Sequence, residues 1–85
     1  MSEQHGIADA GNVVVPAVLA LEAAGFELSE QEGGTMIAVS DRGTFIAESP
    51  VALLGLVKLI ELRGWSWQAT DTEINTTIER FGWGD

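Results

Sequence analysis

Apolar residues along this chain recur at two spacings, and the switches between them mark out its elements. Val14, Val18 and Leu21 return at steps of four and three, the repeat of one helical face. Asn12 is placed to cap that helix, which runs to Ala24. Pro16 fits only in a first turn, so the alternative is a helix beginning at Pro16 with residues 13–15 extended. Gly25 suits the left-handed position after a helix end. From Phe26 the period becomes two, with Phe26 and Leu28 on one side and Glu27 and Ser29 on the other, as in a half-buried strand. Residues 30–34 then form a turn.

Residues 35–40 and 44–49 are apolar and β-branched runs on either side of Asp41-Arg42-Gly43, where Gly43 supplies the positive φ of a three-residue hairpin loop. Pairing Ser40 with Thr44 puts Ile37, Val39, Phe45 and Ala47 on one face, expected to be core, and Met36, Ala38, Ile46 and Glu48 on the other. Ser49-Pro50 starts a second helix, with the hydroxyl as cap and proline at the first helical position. It should reach Arg63 and stop at Gly64, with Leu53, Leu56, Val57 and Ile60 facing inward. Val51, Leu54 and Leu62 fall on the opposite side, near Lys58. A helix so nearly apolar all round needs cover on more than one side.

Trp65-Ser66-Trp67 reads as an extended link with both indoles on one side. Thr70 and Glu73 have capping-box spacing and open a third helix, in which Ile74, Ile78 and Phe81 form one stripe before Gly82. This short amphipathic helix is expected to lie on the domain. The first eleven residues lack periodicity and predict a flexible N-terminal tail, leaving 12–85 as a single small globular domain. The fold class is α+β: a three-stranded antiparallel sheet packed against two helices with a short third C-terminal helix, in the order α-β-β-β-α-α.

Composition narrows the function. With no cysteine, disulfides, thiolate zinc sites and thiol redox motifs are excluded. The longest apolar runs, 13–21 and 51–57, are far short of the ~18 residues that span a bilayer. The first residues also lack the positive charge of a secretory signal. A cytoplasmic location without membrane association is the expectation. The net charge of −9 is uneven: residues 1–41 carry seven acids and no Lys or Arg, giving −7, and residues 42–85 carry six acids and four bases, giving −2. Such a surface repels phosphate backbones and attracts basic partners, so the expected partner is a protein and not nucleic acid.

No cofactor, metal or catalytic centre is expected. The one histidine, His5, falls in the tail. Asp71-Thr72-Glu73-Ile74-Asn75 resembles the start of a calcium loop, but Thr76 stands where that loop requires glycine and Gly82 where it requires a bidentate acid. Gly33-Gly34 is followed by no Lys-Ser or Lys-Thr, so it is no phosphate loop. Glu27, Glu30 and Glu32 read as a solvated turn that guards a sheet edge, and a hydrolase built on Glu30, Glu32 or Glu48 would need two of them desolvated.

The element order resembles that of double-stranded-RNA-binding-like folds, including small ribonuclease toxins that also read helix, Gly-Phe, hairpin. The resemblance is one of layout: those folds present Lys and Arg to phosphate and the toxins a histidine in the sheet, where Thr35 and Met36 stand here. It implies a nucleic-acid-binding or ribonuclease role as the alternative. The favoured expectation is a non-catalytic interaction module of the adaptor, antitoxin or immunity kind. Its candidate protein-binding residues are Glu27, Glu30, Glu32, Val51, Leu54, Leu62, Trp65 and Trp67, and homodimerisation through Val51, Leu54 and Leu62 is a second expectation.

Overall fold

The computed structural model describes residues 5–84; the first four residues of the expected tail and Asp85 lie outside them. The elements are α1 (Val14–Ala23), β1 (Glu27–Glu30), β2 (Met36–Ser40), β3 (Gly43–Ala47), α2 (Pro50–Arg63) and α3 (Asp71–Phe81). The fold is α+β in the expected order.

A 3-10 turn over Gly11–Val13 leads into α1, so Asn12 lies inside that turn and no side chain caps the helix. The Val13 N–H donates to the Ala10 carbonyl at 3.1 Å, a backbone substitute for a cap. Pro16 occupies the first turn and residues 13–15 are not extended, which corrects both expected starts. The buried positions are Ala17 and Leu21, with Val18 half-buried and Val14 outside. At the far end the Phe26 N–H donates to Leu21 O and the Gly25 N–H to Glu22 O, the paired bonds of a Schellman motif, with Gly25 at φ +96°. That motif brings Phe26 against Leu21, and both belong to the core.

The three strands form one antiparallel sheet in the order β1-β2-β3. Here one expectation is corrected. Ser40 pairs with Gly43 and not Thr44, so Ala38 lies opposite Phe45, Ile37 opposite Ile46 and Met36 opposite Ala47. The core-facing set is therefore Leu28, Met36, Ala38, Phe45 and Ala47, while Ile37, Val39, Thr44 and Ile46 face away. The turn has two central residues, Asp41 and Arg42. Neither Asp41 nor Arg42 takes a positive φ, so the turn is not of the primed kind that matches strand twist, and Gly43 at φ +138° takes up the difference.

Ser49 caps α2 by accepting from the Ala52 N–H at 3.1 Å, with Pro50 in the first turn. α1 and α2 pack on each other and on one face of the sheet. The core is Leu21, Phe26, Ala38, Phe45, Leu53 and Val57, with Leu54, Leu56 and Ile60 partly buried against it. Leu21 and Leu53 are fully enclosed.

α3 forms as expected: Thr70 Oγ1 accepts from the Glu73 N–H at 3.1 Å, and Glu73 Oε1 accepts from the Thr70 N–H at 2.9 Å. It does not lie on the rest of the fold, however, and none of its residues is buried. The radius of gyration of 15.8 Å exceeds the ~12 Å of a compact chain this long. Two features hold the helix off. Trp65 stacks on Phe45 with ring centroids 5.7 Å apart and occupies part of the core edge on which a folded-back helix would pack. Arg63 bonds the Trp67 carbonyl at 2.9 Å and pairs with Glu73 at 3.6 Å, fixing the start of α3 beside the end of α2.

Candidate protein-binding surface

Among the described residues, no polar or charged side chain is buried, and no three His, Asp or Glu residues converge as a metal site. What the fold offers is exposed apolar surface with a distinct charge border in each place.

The first such surface is the outward face of the sheet. Glu27, Val39 and Thr44 form one row across the strands, and Ser29, Ile37 and Ile46 the next. Val39 is 44% and Ile46 58% exposed, enough for each to offer an apolar flank to an incoming surface. Glu48 follows Ile46 in the alternation and is exposed at the end of β3. Glu32 is exposed in the β1–β2 turn, whereas Glu30, opposite Met36 at the end of β1, falls on the other side of the sheet by alternation and does not border this face. The face is thus an apolar centre with acids at its borders.

Each of the four bases is engaged elsewhere. Arg42 donates to the Ala24 carbonyl at 2.6 Å, lies over the Phe26 ring at 4.7 Å and pairs with Glu61 at 3.6 Å. Lys58 also reaches Glu61, at 3.4 Å; Arg63 is bound to Trp67 and Glu73, and Arg80 lies over Phe81. None forms an ion pair with Glu27 or Glu48. Among the described residues the Lys and Arg side chains thus leave the border of this face acidic.

The sequence-derived apolar candidates separate into different places. Val51 and Leu54 are half-buried and line a groove of about 720 Å³ together with residues of the N-terminal segment and α1, such as Ile7, Val13 and Pro16. Leu62, 74% exposed, is not among the residues lining that groove. Trp65 and Trp67 do come together, lining one recess of about 200 Å³ with Ile46 and Leu59, as their spacing of two predicts. They serve both as a lid on the core edge and as exposed surface. Sequence reasoning missed Ile37 and Val39 as surface residues because it placed them in the core, and the register was the missing signal. It also missed that the α3 stripe would stand open.

Among the described residues Glu73 alone shows a clear electrostatic perturbation. The backbone hydrogen bond it accepts from Thr70 is the largest effect and holds its carboxyl below the usual glutamate range; desolvation, next in weight, opposes it, and the smaller pull of the Arg63 charge adds to the lowering. The cause is structural, the capping of α3. Comparison of the chain with protein-family models, curated proteins and solved structures finds no match.

Proposed function

We propose that this chain is a non-catalytic, cytoplasmic interaction module, of the adaptor, antitoxin or immunity kind, that receives a basic protein segment on the outward face of its sheet. The observation that carries the reading is the apolar centre of Ile37, Val39 and Ile46 bordered by Glu27 and Glu48, with which no Lys or Arg forms an ion pair. Apolar area anchors and one-signed charge steers, which together make a specific interface. The same border disfavours the alternative of a nucleic-acid-binding or ribonuclease role, since phosphate backbones are bound through Lys and Arg. The solvated state of the carboxylates supports a role without catalysis.

The test is backbone amide NMR during titration with a Lys-rich amphipathic helical peptide at ~150 mM salt, where fields between exposed charges decay within about 8 Å. Expected are shifts centred on Ile37, Val39 and Ile46, weakened by Ile46→Lys and by Glu27→Lys. No binding at that salt, or shifts confined to other surfaces, would overturn the reading. Binding of double-stranded RNA in its place would favour the alternative.

A further inference from the structure

The segment from Glu61 to Gly84 contains Leu62, Trp65, Trp67, Ile74, Ile78, Phe81 and Trp83, and not one of its residues is buried. Leu62 and Trp65 are exposed by 74% and 61%, Phe81 and Trp83 by 56% and 69%. Phe81 and Trp83 stack on each other at 5.0 Å, so they present one joint aromatic surface. At its C-terminus α3 is closed by a second Schellman pair, Trp83 N–H to Ile78 O and Gly82 N–H to Glu79 O. An 11-residue helix capped at both ends is still marginal in water, because isolated helices below ~12 to 15 residues rarely hold without tertiary packing. Among the described residues only Ile78 of the stripe is half-buried, and Ile74 and Phe81 stand open.

We propose that the stripe is covered by a second copy of this chain, with the two α3 helices packed antiparallel about a two-fold axis near Thr77 and Ile78. The area fits a weak, reversible contact. The open parts of Ile74, Phe81 and Trp83, on and just beyond the stripe, amount to roughly 350 Å². That is less than the about 800 Å² each partner gives to a stable interface of standard size and falls in the class of transient contacts. The stripe is also self-complementary. With the axis there, Ile74 meets Phe81 of the second copy, and the half-buried Thr77 and Ile78 meet each other. Arg80, near one helix end, comes within about a turn of the second copy's acidic first turn, where Asp71 and Glu73 stand, and the two helix dipoles oppose.

Trp65 and Trp67 border Ile46 of the sheet face, but Ile74, Ile78 and Phe81 of the α3 stripe do not line that recess, so either proposal can fail alone. The experiment is sedimentation equilibrium of the full chain at about 100 µM, where an interface with a Kd of ~10 µM is mostly occupied. Twice the chain mass is expected, with the outward-face variant Ile46→Lys still dimeric and Ile78→Asp at least tenfold weaker. Loss of dimer in Ile78→Asp could come from melting of α3, so the geometry is tested separately. The chain has no cysteine, and Thr77→Cys introduces a single thiol near the axis, whereas Thr72→Cys introduces one on the helix side turned away from the stripe. A short bismaleimide should link Thr77→Cys into dimers and leave Thr72→Cys monomeric. A monomeric wild type, a dimer indifferent to Ile78→Asp, or equal cross-linking of the two cysteine variants would each overturn the proposal.

Discussion

Ala38 and Val39 are adjacent on β2, and the hairpin register decides which one the core feels. In the observed pairing Ala38 is fully enclosed, opposite Leu28 on one strand and Phe45 on the other, while Val39 is nearly half-exposed. Ala38→Leu would force an isobutyl group into closed space against the Phe45 ring, and overpacking of this kind costs about 1–3 kcal/mol. In a domain of this size each kcal/mol lowers Tm by about 4–8 °C, so the expected fall is between about 4 and about 24 °C. Val39→Thr keeps the β-branched shape and places its hydroxyl in water, so its effect should stay within about 0.5 kcal/mol. Were Val39 inward, the same hydroxyl would be buried without a partner and cost about 1–3 kcal/mol, while a leucine at position 38 would point to solvent. Thermal unfolding followed by circular dichroism, with urea melts to confirm equal m values, reads the pair directly. A larger loss for Val39→Thr than for Ala38→Leu would refute the register and, with it, the composition of the outward face.

Three further outcomes are expected. Gly43→Ala should cost about 1–3 kcal/mol and change tryptophan fluorescence, because φ is +138° there and an added Cβ would come within 2.7 Å of the Trp65 ring; an unchanged spectrum would argue against that contact. Phe45→Ala, which removes the ring between Phe26 at 5.6 Å and Trp65 at 5.7 Å, should cost about 3–5 kcal/mol in a denaturant melt. The Glu73 carboxyl is held below its ordinary range, so its contribution to α3 is complete above the unfolded-state pKa and is lost as pH falls through the lower folded-state one. Helicity should therefore decline in acid, and Glu73→Gln should remove that part of the acid transition; an identical acid profile in the variant would refute it.

The elements readable from sequence alone were those closed by local chemistry. Ser49-Pro50, Gly25, the Thr70–Glu73 box and Gly82 each complete their hydrogen bonds within a turn, so neighbours in sequence suffice to specify them. The hairpin register was not readable, for a definite reason. Met36, Ile37, Ala38 and Val39 are all apolar, so alternation marks neither side of β2, and a loop of two or three residues places a positive-φ glycine at position 43 equally well. The entry to α1 was misread because a backbone bond replaced the side-chain cap expected of Asn12. The docking of α3 was misread because an amphipathic stripe does not say which surface it packs on, whereas the contacts that place α3, Trp65 on Phe45 and Arg63 on Trp67 and Glu73, depend on the folded arrangement. Of the candidate surface, its acidic border was legible and its apolar centre was not, because charge does not depend on register.

The two open surfaces have one structural origin. A three-stranded sheet has two faces, and among the described residues two helices pack on it, both on the same side. The third is turned outward at Gly64 and fixed there through Arg63, so the second sheet face and the α3 stripe are left open together. They do not suit one another well, because α3 carries Asp71, Glu73 and Glu79 against Arg80 alone, and the sheet face is bordered by Glu27 and Glu48. Laying that helix on that face would bring acids toward acids around a low-dielectric contact, where the repulsion is stronger than in water. The sheet face is electrostatically suited to a basic partner, whereas antiparallel α3 helices bring Arg80 toward acids of the opposite copy. The charge distribution thus assigns different occupants to surfaces that hydrophobicity alone would have let pair with each other.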